Sequence, residues 1–398
     1  MTAFLKQMAQ TDPLKKLVII TTHPIQYYAP VFKLLHQREK ISIKVFYTWG
    51  EASLKKFDPG FGKVVDWDVP LLDGYRYEWA VNTAKDPGSH HFNGIINPGL
   101  VKQVEAWQPD AVLVFGWAYH SHLKVLRHFK NKLPVYFRGD STLLDEKDGL
   151  KQSLRSVFLK WIYRHVDHAF YTGINNKAYF KKYGLKDEQL SFAPHAVDND
   201  RFEIEQKDEV LRLKEELQIK IDDLVILFAG KLEEKKSPGL LLDAFFLLDD
   251  PAMHLVFSGA GVLEKELKER AKDNRNVYFI GFQNQSAMPV VCQACDLFCL
   301  PSKGPGETWG LAVNEAMVCG KPVLVSDKCG CAIDLVADEN GMIFKNEDID
   351  DLTACLKKMT TDREKLAILG NASKKIIKNW NFVNIAQAIE AEVNMGNG

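Results

Sequence analysis

Two glutamates eight residues apart, Glu307 and Glu315, stand in the stretch from Pro301 to Ser326, PSKGPGETWGLAVNEAMVCGKPVLVS. An apolar run, Leu297 to Leu300, ends in Pro301, and a loop with Gly304, Pro305 and Gly306 then leads into a helical pattern starting near Gly310. The free N–H groups and dipole of a helix start suit a phosphate. A loop carboxylate is badly placed beside that anion unless it bonds neutral hydroxyls, and a sugar supplies those. A plainer reading has Glu307 capping the helix and Glu315 solvated. Upstream, Gly230-Lys231-Leu232-Glu233-Glu234-Lys235-Lys236-Ser237 follows the run LVILFA. Lysines at a strand end can neutralise a departing diphosphate as point charges; a solvated charged turn is the alternative. Ser258-Gly259-Ala260-Gly261 is a glycine turn of a kind that many strand–helix junctions share.

These residues sit at the ends of expected strands. In the second half the strand candidates are Leu224 to Ala229, Leu255 to Phe257, Val277 to Ile280, Leu297 to Leu300 and Pro322 to Ser326. In the first half they are Leu17 to Thr21, Ile41 to Tyr47, Ala111 to Phe115, Val135 to Phe137, Ala169 to Tyr171 and Ser191 to Ala193. Helix-length amphipathic segments separate them. Continuous apolar runs with such spacing predict parallel sheets covered on both faces. Glu51 to Pro98, rich in Gly, Pro, Asp and aromatics, reads as loops or an insertion rather than core. The charged run Glu203 to Glu216 marks the join. The expected architecture is two doubly wound α/β domains in tandem, with ligand at the carboxyl ends of the strands.

Composition narrows the partners. The chain has 398 residues, 51 Lys+Arg against 52 Asp+Glu, and 46% apolar residues, enough for large cores. A net charge of −1 argues against a nucleic-acid binder. No stretch approaches the ~18 uncharged apolar residues of a spanning helix, and MTAFLKQMAQTDPLKK lacks the apolar core of a secretory signal. Ten of eleven histidines precede residue 200, whereas all seven cysteines follow residue 290. The cysteines offer Cys292, Cys295, Cys299, Cys329 and Cys331 to a metal reading, but buried cysteine is a small hydrophobe, and a reduced cytosolic protein fits them better.

The second half resembles the nucleotide-sugar domain of retaining glycosyltransferases of family 4, which have the GT-B fold. The resemblance rests on Ala229-Gly230-Lys231-Leu232 with Lys236, Phe257 to Gly261, Val277 to Phe282, the Glu307/Glu315 pair as an E-x7-E motif, and Gly320-Lys321-Pro322-Val323. It extends to Pro194-His195-Ala196-Val197-Asp198 with Arg201-Phe202, and to the last helical segment, Trp380 to Val393. It implies that Lys231 and Lys236 bind a donor diphosphate, with Gly259 in the adjoining turn. Glu307 holds sugar hydroxyls, Thr308, Trp309, Gly310 and Leu311 line the sugar–phosphate site, and Glu315 bonds the ribose. Gly281 and Phe282 lie against the base. No metal or cofactor is required, and Asp348-Ile349-Asp350 reads as a helix cap. The domains implied are 1–204 on the acceptor side, 205–378 on the donor side, and 379–398 crossing back as a helix.

The first half departs from that pattern. Its first turn is Thr22-His23-Pro24-Ile25-Gln26-Tyr27-Tyr28, which makes His23, Gln26 and Tyr27 acceptor-side candidates, ligands of the donor phosphate, or packing residues. Arg138-Gly139-Asp140 stands where the family commonly places a histidine; Arg138 cannot act as a base but suits phosphate or an anionic acceptor. His120 and His122 are further candidates. Lys124 to Lys182 holds thirteen Lys/Arg against five Asp/Glu, and Lys151 to Tyr163 alternates basic and apolar residues at helical spacing. That pattern suits either peripheral contact with anionic lipid or ordinary packing on the sheet. The expected function is transfer of a sugar from a nucleoside diphosphate to a glycan or lipid-linked acceptor, in the cytoplasm with the inner face of the membrane as an option, in surface polysaccharide or glycoconjugate assembly. The alternatives are an epimerase or hydrolase on the same fold and a noncatalytic nucleotide-sugar-binding subunit.

Overall fold

A computed structural model describes residues 14–58 and 60–395. Most of the stretch read for a signal sequence lies outside those residues. The first domain contains β1 (Lys16–Thr21), β2 (Ser42–Tyr47), β3 (Lys56–Asp58), β4 (Lys63–Val65), β5 (Tyr77–Trp79), β6 (Ala111–Phe115), β7 (Val135–Arg138), β8 (His168–Tyr171) and β9 (Leu190–Phe192). Seven of these make a parallel sheet in the order β5-β2-β1-β6-β7-β8-β9, while β3 and β4 form a separate antiparallel hairpin. The second domain contains β10 (Leu224–Ala229), β11 (Met253–Ser258), β12 (Val277–Gly281), β13 (Leu297–Leu300), β14 (Val323–Ser326) and β15 (Gly341–Phe344), in the parallel order β12-β11-β10-β13-β14-β15. The chain is thus an α/β protein of two doubly wound domains, as its apolar runs require.

Each central strand is buried on both faces, which is why it reads as an unbroken apolar run. Alternate residues of β1 serve different cores: Leu17 and Ile19 pack with Val31, Phe32 and Ile389, whereas Val18 and Ile20 pack with Leu126, Phe129 and Ile162. Two strands are harder to read. β5 lies inside the segment read as loops, yet it is the sheet's edge strand, only three residues long and with one face half-exposed. β15 is likewise an edge strand and too short for a periodic signal.

The connection between domains changes core between Ala196, which belongs to the first, and Val197 and Phe202, which belong to the second. The final helix, Phe382–Met395, packs against the helix Ala29–Arg38 of the first domain. Arg38 and Glu390 fasten the two, with Nε donating to Oε1 at 2.7 Å and Nη2 to Oε2 at 3.0 Å. Among the described residues no helix is long and apolar enough to cross a membrane.

Candidate active site

A cavity of about 390 Å3 lies between the domains, at the carboxyl ends of the second domain's strands. The turns after β10 and β11 build its floor. Gly259 has φ +144°, and a Cβ on it would stand 1.8 Å from the Gly230 carbonyl oxygen, so only glycine allows these turns to touch. The close approach brings Lys231, Lys236 and Gly259 to one wall. Opposite them, the helix Leu311–Val318 starts at Gly310, which holds the left-handed conformation at φ +102° without a side-chain cap. Leu311 and Glu315, one turn apart, share the face that lines the cavity.

The charged groups are paired. Lys236 Nζ bonds Glu307 Oε2, and the Ser302 hydroxyl donates to the same oxygen at 2.8 Å. Glu307 is 7% exposed and caps no helix. Lys231 Nζ lies 2.8 Å from Asp58 Oδ1, across the cleft. Glu315 is 3% exposed, so it is not solvated, and it accepts a hydrogen bond from the Tyr27 hydroxyl at 3.1 Å. Burial pushes the Glu315 carboxyl up to about 7, against the opposing influence of that bond and of Arg201. Burial likewise pushes the Tyr27 phenol well above its ordinary value. The cavity is therefore lined by three lysines, Lys231, Lys235 and Lys236, a carboxyl poised near neutrality and a phenol that stays protonated.

Several expected residues meet here and others do not. Lys231, Lys236, Gly259, Phe282, Leu311, Glu315, Gln26 and Tyr27 line the cavity. Gly281 ends β12 with φ +69°, turning the chain so that Phe282 reaches the cavity. Glu307 stands behind the wall, one contact away through Lys236. Thr308 faces a second cavity of about 590 Å3 shared with Ser141, Lys151 and Arg155, and its hydroxyl donates to Asp140 at 2.8 Å. Trp309 does not line the sugar–phosphate site: its ring packs beside His195 and its indole N–H donates to Asn314 at 2.8 Å.

The first-domain expectations need larger corrections. Arg138 does not face an acceptor. It is 2% exposed and donates to the carbonyls of Ala193 and Pro194 at 2.7 and 2.8 Å, fastening the segment that leads to the second domain. Of Arg138-Gly139-Asp140, it is Asp140 that reaches across the cleft. His120 begins the helix His120–Phe129, exposed and beside Phe92, outside either cavity lining. His122 is buried against Thr48 and two carbonyls, and burial pushes its imidazole down to about 4. His23 bonds Thr22 and sits edge-on to Trp49. Asp348 accepts the N–H of Asp351 as a helix cap. Cys299 is buried in β13, and among the described residues the cysteines form no metal-holding group.

The contribution missed in the sequence comes from the insertion. Asp58, Phe61 and Trp67 line the cavity from the first domain. Asn284 Nδ2 donates to the Asp66 carbonyl at 2.7 Å and the Ser286 N–H to Asp68 at 3.1 Å, strapping this segment to the loop after Phe282. Its one sequence signal was an unusual density of aromatic and acidic residues in a supposed loop.

Residues 210–376 match the family model for glycosyl transferases group 1. A D-inositol 3-phosphate glycosyltransferase of Rhodococcus erythropolis is 25% identical over 239 residues, 56% of this chain and 53% of that protein. An Escherichia coli UDP-Gal:alpha-D-GlcNAc-diphosphoundecaprenol alpha-1,3-galactosyltransferase is 27% identical over 213 residues, 51% of this chain and 53% of that protein. The chain spans about half the length of these curated relatives. Among solved structures, Anabaena HepE with UDP and glucose superimposes with a TM-score of 0.71 at 19% identity, over 96% of this chain and 99% of its own. WaaG, a glycosyltransferase involved in lipopolysaccharide biosynthesis, does so with a TM-score of 0.65 at 15% identity, over 96% and 100%. The fold is GT-B.

Proposed function

We propose that the protein transfers a sugar, with retention of anomeric configuration and without a metal, from a nucleoside diphosphate to a hydroxyl of a glycan or lipid-linked acceptor. The observation that carries this reading is the convergence of Lys231, Lys236 and Glu315 on one cavity at the start of the helix Leu311–Val318. The group 1 match over 210–376 supports it. The two ammonium groups and the helix-start amides provide the positive charge that a leaving diphosphate requires. When the diphosphate takes Lys236, the Glu307 carboxylate becomes available to the sugar hydroxyls. Glu315 accepts from the ribose. As the bond from C1 to the phosphate oxygen breaks, the acceptor oxygen bonds C1 from the same face, and its proton passes to the departing phosphate.

The second cavity, beyond Thr308, is the proposed acceptor side. It adjoins the helix Leu150–Tyr163, whose Leu150, Leu154 and Val157 are 80%, 66% and 69% exposed. That row, flanked by Lys147 and Lys151, supports peripheral contact with an anionic membrane, and the Escherichia coli relative bears the name of an enzyme acting on a lipid diphosphate. Seven unpaired cysteines support a reducing, cytosolic setting. The test incubates the protein with a panel of nucleoside diphosphate sugars, with and without acceptor extract, and determines the product anomer. Glycoside formed only with acceptor, with retained configuration and lost in Lys236→Ala, upholds the reading. Donor consumption without acceptor would instead reveal a hydrolase or epimerase, and binding without turnover a noncatalytic subunit.

A further inference from the structure

We infer that the β3–β4 hairpin of the first domain recognises the nucleobase of the donor, with Phe61 and Trp67 completing an aromatic wall begun by Phe282. This rests on the donor site proposed above. The Phe61 and Phe282 ring centroids lie 4.8 Å apart at 75°, and those of Trp67 and Phe282 lie 6.1 Å apart at 48°. All three rings line the same cavity as Lys231. Rings from two domains thus meet at one end of a cavity whose other groups suit phosphate and sugar.

The hairpin's polarity also points inward to a ligand. In the register Phe57 opposes Val64 and Asp58 opposes Lys63, so the two pairs face opposite sides. The apolar pair is turned to solvent, Phe57 at 60% and Val64 at 56% exposed. The charged pair faces the cleft, where Asp58 meets Lys231 and Lys63 Nζ stands 3.8 Å from the Phe282 ring centroid. Of the inner face only Val65 is buried, while Asp58 is half-buried and Lys63 exposed, so the hairpin turns its charged pair to the cleft and adds Phe61 and Trp67 to the lining of a polar cavity. Of the nearby amides, Gln283 Nε2 donates to Ile280 and Gln285 accepts from Arg201. Ring stacking, which every base offers, is what the three aromatic side chains supply.

The test compares binding of nucleoside diphosphates and of pyrophosphate by calorimetry, using wild-type protein, Phe61→Ala/Trp67→Ala and Phe61→Leu/Trp67→Leu. The Leu pair keeps apolar bulk but lacks aromatic faces, and melting curves establish that each variant is folded. Both variants are expected to lose about tenfold or more in affinity for the preferred nucleoside diphosphate and to keep that for pyrophosphate. Unchanged nucleoside diphosphate affinity in the folded variants would overturn the inference while leaving the donor site standing. Equal loss for pyrophosphate would overturn it too, showing that the hairpin only positions the lysines. A wild-type protein that binds no nucleotide would fail the donor site first and this inference with it.

Discussion

Lys231 and Asp58, 173 positions apart in sequence, meet across the cleft with Nζ 2.8 Å from Oδ1 and 3.1 Å from Oδ2. Burial alone would raise the Asp58 carboxyl, but the ammonium beside it and the N–H groups of Phe61 and Gly60 hold it below its ordinary range. Lys236 is paired to Glu307 in the same way. Both lysines proposed to bind the donor diphosphate are therefore held by carboxylates, with which an entering diphosphate would compete.

Asp58→Asn keeps the oxygen that accepts from Gly60 and Phe61 but removes the charge that competes for Lys231. The pair is only partly buried, so its worth is modest. Affinity for the preferred nucleoside diphosphate should rise about fivefold in calorimetric titration. Lys231→Ala should weaken it by a similar factor or more. A fall in affinity in Asp58→Asn would show that the carboxylate assists the donor rather than competing with it.

Lys236→Ala removes the cation that both anchors Glu307 and faces the cavity. Transfer should fall by at least about 100-fold in kcat, the usual loss when a group stabilising a leaving anion is deleted. Glu307→Gln should cut transfer, because its proposed partner is the sugar, while affinity for the free nucleoside diphosphate rises a few-fold, because the charge that competes for Lys236 is removed. Steady-state rates combined with diphosphate titration separate the two effects.

Glu315 carries a pH dependence of known sign. Its folded-state carboxyl titrates near 7, above its ordinary value of 4.5, so the folded protein holds the extra proton between these values. Stability therefore falls as pH rises through that window, by on the order of 3 kcal/mol once pH exceeds 7. Glu315→Gln should raise the melting temperature at pH 8 and change it little at pH 4. Donor affinity in the wild type should move the opposite way, rising toward pH 8, because the ionised carboxylate is the better acceptor for ribose hydroxyls. Parallel pH series of melting and binding check both.

Arg138→Met strands the carbonyls of Ala193 and Pro194 without their donors. A loss of about 2–4 kcal/mol in denaturant titration is expected. Nucleoside diphosphate affinity in the folded variant should stay within about twofold of wild type. A selective loss of binding or of acceptor use would return Arg138 to the site.

Leu154→Asp and Val157→Asp place charges in the exposed row of the helix Leu150–Tyr163. Neither side chain is packed, so each change should cost less than about 0.5 kcal/mol in stability. Sedimentation with anionic vesicles should be salt-sensitive in the wild type and fall about tenfold in either variant. Wild-type protein that stays in the supernatant at low salt would remove membrane contact from the proposed function.

Local signals carried the second domain almost whole. Each of its core strands is an unbroken apolar run because it is buried on both faces, and its glycine turns and paired lysines stand beside those strands in sequence. Leu224 to Ala229 is β10, and Gly259 is glycine because its neighbour's carbonyl leaves no room for a Cβ. Glu315, singled out by the E-x7-E motif, lines the cavity because it shares one helical face with Leu311.

What remained hidden depends on partners far along the chain. Arg138 looks like a site residue until the Ala193 and Pro194 carbonyls are seen to consume its donors, 55 and 56 positions away. Trp309 sits inside the motif yet turns into the core, where Asn314 takes its N–H. Asp58, Phe61 and Trp67 lie in a segment with no periodicity, and they become part of the cavity only because the domains face each other. Residues flanking a strand thus determine which charged groups exist. Packing between domains decides which of them face the cavity, what neutralises them, and that the first domain contributes to its lining, since a side chain's partner is set by distance in space and leaves no trace at its own position.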